Sequence, residues 1–395
     1  MRVPRFARVI LIVLDGAGCG ALPDANLYGD DGSNTLGNVA RLVKLRVRNL
    51  RGLGLGRLVA LDQQMPPRPD GAFGRMAEAS AGKDSVTGHW EMTGIVLDSP
   101  FPTFPNGFPP DLIAEFERRI GRPTIGNVVA SGTEIIERLG AEHVRSGSPI
   151  VYTSADSVFQ LAAHEDVLPV PELYRMCEVA FELASRGLGV ARVIARPFVG
   201  RAGAFTRTAN RHDFALPPTS RTLLDELTQR AIAVTAIGKV NDLFAGRGID
   251  CSFPTPSDDA GMDRLLDAVR DDRGGLVFAN LVDFDTVYGH RNDVTGYAAN
   301  LERFDDRLGA LRAALKTTDL LVITADHGND PTTPSTDHSR EYVPLLLSGE
   351  RVRRGVDIGT RRTFADLGQT IADNFGVGPL ANGTSFLEDI VVDHS

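Results

Sequence analysis

The chain has 395 residues, more than one ordinary hydrophobic core holds, and this length predicts about two domains. Hydrophobic residues make up 42% and charged residues 24%, the balance of a globular protein rather than of a disordered or membrane-embedded one. The formal net charge of −9 argues against nucleic acid as a partner, because binding a phosphate backbone needs a basic face. An anionic ligand would have to be held by local cations, either metal ions or arginines.

Cysteine usage and the N-terminus both bear on location. Cys19, Cys177 and Cys251 are far apart in the sequence, which fits a reducing cytoplasm and gives neither a disulfide framework nor a zinc cluster. The apolar run at 9–14 follows several arginines and superficially resembles a secretory signal. It is shorter than the roughly 7–15 residues that such a signal needs, so we expect a first core strand, a cytoplasmic location and no membrane span.

Apolar runs and helical patterns alternate through much of the chain. The runs predict strands at 7–14, 232–237, 275–282, 320–325 and 343–347, and the helical patterns lie at 220–230, 262–270, 297–315 and 364–374. Runs that are apolar throughout are typical of strands covered on both faces. The alternation therefore predicts an α/β fold, with a mainly parallel sheet flanked by helices.

A second domain interrupts this pattern. Residues 99–110 are rich in proline, and residues 111–205 contain helices and strands of their own. We therefore predict a discontinuous core of residues 1–98 and 215–395, with an α/β cap domain inserted at 99–214.

Acids and imidazoles follow the predicted core strands. The candidate ligands are Asp15, Asp285, His290, Asp326, His327 and His338. A single Asp-His pair is usually a surface or core residue, but the carboxyl ends of parallel strands meet at one edge of a sheet. Mixed Asp and His donors suit Mn, Zn or Fe better than Ca or Mg. The set is too large for one ion, so it predicts two ions that clamp a transferring phosphoryl group.

The segment 82–91 offers a hydroxyl nucleophile. Ser85 follows Lys83 at a predicted turn that opens a helix, where free backbone N–H groups could face a phosphate. A serine next to a metal ion would need no histidine base. The alternative is that Ser85 or Thr87 caps the helix; spacing alone favours capping, and the two roles are compatible.

Basic residues near the return to the core could bind phosphate through bidentate contacts. Arg196 ends an apolar strand, and Arg207 and Arg211 follow it, although runs of arginine are usually solvated surface. Lys239 is a weaker candidate of the same kind, and Asp156 could face the cleft.

Taken together and in order, these motifs resemble the bacterial phosphopentomutases of the alkaline phosphatase superfamily, nearly from end to end. The matching stretches are 14–20, 82–91, 152–160, 192–198, 208–213, 280–285 with 290–293, and 325–328 with 336–341.

The resemblance implies an alkaline-phosphatase-like core with two Mn²⁺ ions at a phosphorylatable hydroxyl. One ion would be held by Asp15, Asp326, His327 and Ser85, and the other by Asp285, His290 and His338. The resemblance also implies an inserted cap whose Asp156, Arg196, Arg207 and Arg211 face a small sugar phosphate.

The implied activity is that of an isomerase of nucleoside catabolism. It would interconvert ribose or deoxyribose 1-phosphate and 5-phosphate through a phosphoserine and a 1,5-bisphosphate, with a sugar bisphosphate as activator. The family usually has threonine at the position of Ser85; serine keeps the hydroxyl but frees its rotamer, which could admit more hydrolysis. The alternatives are a related two-metal phosphomutase or phosphohydrolase acting on another phosphate ester, and a non-catalytic metal- or phosphosugar-binding protein.

Overall fold

The structure is a computed structural model that describes residues 3–62, 64, 66–154 and 157–392. The strands are β1 (Arg8–Leu14), β2 (Ala72–Met76), β3 (Ile125–Val129), β4 (Ile150–Thr153), β5 (Val158–His164), β6 (Arg192–Arg201), β7 (Ala204–Arg207), β8 (His212–Ala215), β9 (Val234–Ile237), β10 (Cys251–Phe253), β11 (Gly275–Leu281), β12 (Asp319–Thr324), β13 (Val343–Ser348) and β14 (Asp357–Arg361). The helices are α1 (Thr35–Leu42), α2 (Arg48–Leu53), α3 (Ser85–Met92), α4 (Pro110–Ile120), α5 (Gly132–Ser146), α6 (Val170–Ala180), α7 (Leu223–Gln229), α8 (Val240–Leu243), α9 (Asp258–Arg270), α10 (Val294–Ala314), α11 (Ala365–Phe375) and α12 (Leu387–Ile390).

The chain divides into two compact units. The first consists of Met1–Pro100 and Pro218–Ser395, and the second of Phe101–Pro217. The divisions predicted from the sequence come after residues 98 and 214. Asp156, one of the predicted substrate residues, lies outside the described residues.

An eight-stranded sheet forms the centre of the first unit among the residues described. Its strand order is β10-β9-β11-β1-β12-β13-β2-β14. The first five strands are mutually parallel, whereas β13 runs antiparallel to both of its neighbours. Every residue of β1, β11 and β12 is buried, which explains why these strands read as continuous apolar runs. The predicted α/β core with a mainly parallel sheet is confirmed.

Strand register in this sheet brings three chain segments to one edge. Leu14 of β1 pairs with Leu281 of β11, and Val13 pairs with Thr324 of β12. The residues that follow these strands therefore emerge side by side at the carboxyl edge. The predicted core strands and helices are present, with ends shifted by a few residues.

The second unit is an α/β layer structure of its own. Its sheet has the order β3-β4-β5-β6-β7, and β8 also pairs with β6. Side chains alternate between two cores along β4: Val151 packs in the same cluster as Phe116 of α4, whereas Ile150 packs in the same cluster as Ile135 of α5. Helices therefore cover both faces of this sheet.

Within the described ranges, no helix combines the length and the apolar character needed to cross a bilayer.

Candidate metal centre

Loops at the carboxyl edge of the first unit's sheet are tied to one another by backbone contacts. Asp15 directly follows β1, and its N–H donates to the Leu281 carbonyl at the end of β11. The Gly16 N–H donates to Asp326 Oδ1 at 3.1 Å. Gly16 has a φ of +76°, a left-handed conformation that favours glycine. The turn after β1 and the end of β12 are therefore held in contact.

A first group of donors consists of Asp15, Asp326 and His327, each at most 1% exposed. One donor atom from each lies within 4.8 Å of the others. His327 Nε2 is 3.2 Å from Asp15 Oδ1 and 3.5 Å from Asp326 Oδ2. His327 Nδ1 donates to the Gly328 carbonyl at 3.0 Å, so Nε2 is the ring nitrogen that faces the carboxylates.

A second group surrounds Asp285. Asp285, His327 and His338 also offer donor atoms within 4.8 Å of one another, so His327 belongs to both groups. His338 Nε2 is 3.3 Å from Asp285 Oδ1, and His290 Nε2 is 3.2 Å from Asp285 Oδ2. His290 Nδ1 donates to the Thr336 carbonyl at 2.6 Å, which leaves its Nε2 for the carboxylate. The His290 side chain, with 32% of its surface exposed, is more open than the side chains of Asp285 and His338.

Local backbone geometry places the second group. Asp285 lies in a single π-helical turn, Phe284–Tyr288, and His290 lies in the 3₁₀ turn Gly289–Arg291 that follows it. Such irregular turns are frequent at functional sites because they reorient side chains relative to an α-helix.

Opposite charges dominate the electrostatics of both groups. Burial alone would raise the pKa of Asp326, but His327 and His89 outweigh burial and lower the pKa to about 2. Burial also raises the pKa of Asp285, but the nearby His338 and His290 outweigh burial and hold the pKa well below its usual value. The carboxylates therefore carry negative charge inside the protein.

The residues present fit divalent cations. Asp326 Oδ2 is buried and accepts no well-directed hydrogen bond within the described structure, although His89 Nδ1 and His327 Nε2 lie 3.2 and 3.5 Å away; a cation would supply the missing partner. Carboxylate oxygens and imidazole Nε2 atoms are the donors that Mn, Zn and Fe accept together. Since His327 is common to the two groups, their donor atoms are contiguous, as two neighbouring ions require.

Ser85 is the first residue of α3 and lies at the first group. Its Oγ is 3.3 Å from Asp15 Oδ1 and 3.1 Å from His327 Nε2. Helix α3 can come this close to β12 because residue 88 is glycine: a Cβ there would lie 2.3 Å from the Asp326 carbonyl oxygen.

The capping role predicted for Ser85 or Thr87 is wrong. Asp84 is the N-cap, and its carboxylate accepts from the N–H groups of Val86 and Thr87. Thr87 is fully buried, and its Oγ1 donates to Asp84 Oδ2 at 2.5 Å. Two consequences follow. The Ser85 hydroxyl is released from capping, and those two N–H groups are already bonded, so the predicted use of them by a phosphate is not supported.

Sequence reasoning missed the residue that anchors the loop before Ser85. Arg340, whose side chain is 4% exposed, donates to Glu78 Oε2 at 2.9 Å and to the Ser80 and Gly82 carbonyls. It also contacts Asp24 Oδ2 at 3.1 Å. The only available signal was its place in the 336–341 motif, two residues after His338.

Lys83 makes a second connection between these loops. Its Nζ lies 3.1 Å from Asp30 Oδ2 and 3.5 Å from Asp337 Oδ2. Asp337 is therefore an ion-pair partner of Lys83 in the loop before Ser85, whereas its neighbour His338 points its Nε2 toward Asp285.

The predicted substrate residues are divided between the two units. Lys239 lies in the first unit, at the N-cap of α8. Arg196, Arg207 and Arg211 lie in the second unit; Arg196 Nε donates to Gln160 Oε1 at 3.1 Å, and Arg211 forms a two-pronged ion pair with Asp213.

Arg196 has an unusual environment for an arginine. Burial, and next the nearby Arg211, lower its pKa to about 10. The neighbouring Tyr152 hydroxyl and Arg192 Nε are buried and make no hydrogen bond to the described residues. Arg192 belonged to the arginine run seen in the sequence but was not selected from it.

Comparison with known proteins places the chain in a family. The profile described as "Metalloenzyme superfamily" matches residues 7–379. "Phosphopentomutase" of Caldanaerobacter subterraneus subsp. tengcongensis is 55% identical over 384 residues, covering 97% of this chain and 98% of the relative. "Phosphopentomutase" of Thermotoga petrophila is 56% identical over 383 residues, covering 96% and 98%. Among solved structures, the PH0037 protein from Pyrococcus horikoshii shares the fold with a TM-score of 0.50 and 16% identity, over 95% of this chain and 98% of that one.

The identity extends through both units, because the matched region covers nearly the whole chain. The chain belongs to the phosphopentomutase family, within the metalloenzyme superfamily.

Proposed function

We propose that the protein is a phosphopentomutase that moves a phosphoryl group between C1 and C5 of ribose or deoxyribose. The observation that carries this proposal is the position of the Ser85 hydroxyl, within 3.3 Å of Asp15 and 3.1 Å of His327 while Asp84 caps the helix. Relatives named phosphopentomutase, more than half identical over nearly the full chain, support the substrate class.

We assign two Mn²⁺ ions to the pocket, since its mixed carboxylate and imidazole donors suit this metal. One ion would be held by Asp15, Asp326, His327 and Ser85, and the other by Asp285, His290 and His338. When bound, the ions would lower the pKa of the serine hydroxyl and offset negative charge on the transferring phosphoryl group.

Ser85 carries the phosphoryl group in the active enzyme. The phosphoserine O–P bond breaks as an O–P bond forms to the free hydroxyl of a pentose monophosphate, and the proton of that hydroxyl leaves as Ser85 regains one. The product of this step is the 1,5-bisphosphate. Ser85 then takes the phosphoryl group from the other carbon, and a trace of sugar bisphosphate primes the cycle.

We assign catalysis to a core of residues 1–98 and 215–395 and sugar-phosphate recognition to the inserted residues 99–214. The proposed recognition residues are Asp156, Arg196, Arg207 and Arg211 of the inserted part, together with Lys239 of the core. Support comes from Arg196, whose buried guanidinium beside a second arginine would be stabilised by a phosphate. The three cysteines are free thiols, which agrees with the proposed cytoplasmic location.

Mass spectrometry of the protein tests the nucleophile and the reaction class together. After incubation with Mn²⁺ and a sugar 1,5- or 1,6-bisphosphate, we expect one added phosphate, localised by peptide mapping to Ser85. Ser85→Ala should gain none and should lose mutase activity. A phosphate on another residue, or an active Ser85→Ala variant, would exclude the mechanism.

The rival activity is hydrolysis of a phosphate ester by the same site. Parallel assays of phosphate release and of ribose 5-phosphate formation from ribose 1-phosphate separate the two. Release of phosphate faster than isomerisation would favour the hydrolase. Ser85→Thr is the matched variant: its methyl group restricts χ1, and we expect a lower ratio of hydrolysis to isomerisation.

A further inference from the structure

His89 is a buried imidazole next to the first donor group that sequence reasoning did not select. It lies on α3, one helical turn after Ser85, and is 0% exposed. Its ring stacks on Phe278 of β11, with centroids 5.6 Å apart and an interplanar angle of 20°. A histidine in this position is either a packing residue or part of the site.

The polar contacts of His89 all lead to the candidate centre. Its Nδ1 is 2.8 Å from the Ser85 carbonyl oxygen and 3.2 Å from Asp326 Oδ2. Its Nε2 is 3.4 Å from Asn280 Nδ2, and the same Asn280 nitrogen donates to Asp15 Oδ2 at 3.1 Å. Both carboxylates of the first donor group are thus contacted by this pair.

The direction of each hydrogen bond follows from the donors available. Asn280 Nδ2 has two hydrogens, one for Asp15 and one for His89 Nε2, so His89 Nε2 accepts. His89 then carries its hydrogen on Nδ1 and donates it to the Ser85 carbonyl, close to Asp326 Oδ2. The network runs without conflict from the backbone of the nucleophile to the carboxylate of Asp15.

We infer that His89 and Asn280 are positioning residues that hold Asp15, Asp326 and the first turn of α3 in one geometry. This inference rests on the proposed function, because it explains how Ser85 keeps a fixed position relative to the ion-binding carboxylates of Asp15 and Asp326. Groups behind metal ligands commonly fix ligand orientation, and their loss weakens metal affinity by about 10- to 100-fold.

Asn329 provides a matched position at the second donor group. Its Nδ2 donates to Asp285 Oδ1 at 2.7 Å, as the Nδ2 of Asn280 does to Asp15. Each of these asparagines is almost fully buried. Replacing either with leucine, of similar size, removes one donor from one carboxylate and leaves the other carboxylate untouched.

The test is calorimetric titration of Mn²⁺ into metal-free protein. For His89→Phe and Asn280→Leu we expect about 10- to 100-fold weaker binding of one ion. Asn329→Leu should weaken the other ion. Phe278→Leu removes the stacking partner but no polar contact, so it should lower Tm and leave both affinities unchanged.

The two binding steps are identified with variants of the ligands themselves. Asp326→Asn should remove the step that His89→Phe weakens, and His338→Asn should remove the step that Asn329→Leu weakens. His89→Asn is the rescue variant, because an asparagine amide nitrogen occupies the place of imidazole Nδ1. It should recover most of the affinity lost in His89→Phe.

Unchanged affinities in both His89→Phe and Asn280→Leu would overturn the inference, and so would a loss shared equally by both ions. Should His89→Phe not fold, Asn280→Leu tests the same network. The proposed function is tested apart from this: a parent protein that binds two ions but never gains a phosphate on Ser85 contradicts the function, whatever the affinities of the variants.

Discussion

Buried histidines occur in both units, and their nitrogens are used differently. In the second unit, His143 Nδ1 donates to the Ser148 carbonyl at 2.7 Å and His143 Nε2 accepts from the His164 N–H at 2.8 Å. His164 Nε2 bonds the Gly200 carbonyl at 3.0 Å, and its Nδ1 accepts from the Asp166 N–H at 3.2 Å. Backbone groups satisfy all four nitrogens.

Two imidazoles of the first unit use their nitrogens differently, one for a backbone carbonyl and the other for a carboxylate. His327 and His290 bond a carbonyl through Nδ1, and their Nε2 atoms lie 3.2 Å from a carboxylate oxygen of Asp15 and of Asp285. The difference distinguishes a packing histidine from a candidate ligand. A histidine with both nitrogens bonded to the backbone has no nitrogen left for a metal ion, whereas one that turns Nε2 toward carboxylates does.

The largest expected effect comes from replacing one histidine of each class with asparagine and comparing the two variants. His327→Asn should abolish one Mn²⁺ binding step and lower kcat/KM about 10³-fold or more, because a metal ion contributes several kcal/mol of charge stabilisation. His143→Asn keeps a donor near Nδ1 and should lower Tm without changing the number of ions bound. Metal analysis and activity assays measure both. If His327→Asn still binds two ions, the contacts of the ring nitrogens do not distinguish a metal ligand from a packing histidine.

The second effect concerns the loop before Ser85. Arg340→Met should cost about 3–5 kcal/mol of unfolding free energy, because Glu78, 5% exposed, would be left buried without its charged partner. Denaturant unfolding of the metal-free protein measures the loss. Arg361→Met is the control: Arg361 pairs with Asp366 at 2.8 Å, and its side chain, 20% exposed, is more open than that of Arg340, so the change in stability should be smaller. Equal losses would show that Arg340 has no special role.

The third effect is stabilisation by metal, expected in the first unit alone. Mn²⁺ at about 100 times its Kd should add about 2.7 kcal/mol for each ion that binds only the folded state. Hydrogen exchange of the full chain should slow at residues 326–330 and 284–291 when Mn²⁺ is added. Exchange around His143 should not change. Equal protection of the candidate metal centre and of the residues around His143 would show that the histidine contacts do not indicate where Mn²⁺ binds.

The sequence could predict that the residues after the core strands lie together, because the carboxyl ends of parallel strands meet at one edge of a sheet. Asp326 comes two residues after the buried strand β12, so it must lie at the carboxyl edge, next to whatever follows β1. The short strands β2, β10 and β14 were missed, because three to five residues containing glycine, arginine or serine have no clear periodicity.

Buried polar partners could not be predicted in the same way. Arg340 and Glu78 are 262 positions apart, and nothing local indicates that they pair. The local alternatives were also ambiguous: Asp84, Ser85 and Thr87 can each cap a helix, and only the backbone shows that Asp84 does. His164 precedes Glu165 and Asp166, so an acid beside an imidazole does not by itself indicate a ligand.

The smallest expected effect is the acid sensitivity of the second unit. Burial, and then the nearby His164 and Arg122, lower the pKa of His143 from 6.5 despite its bond to the Ser148 carbonyl. The unfolded chain therefore binds the proton more readily than the folded one. The stability contributed by neutral His143 is full above about pH 6.5 and is lost as the pH falls below that value, with a slope of at most about 1.4 kcal/mol per pH unit.

Hydrogen exchange measured between pH 7.5 and 5, after correction for the intrinsic rate, tests this dependence in the intact chain. Residues 143–148 and 160–164 should become less protected as the pH falls, and His143→Asn should remove that dependence because asparagine does not titrate. A pH dependence that persists in His143→Asn would show that His143 does not cause the acid sensitivity of the second unit. Metal binding would then be the only property that separates the histidines of the two units.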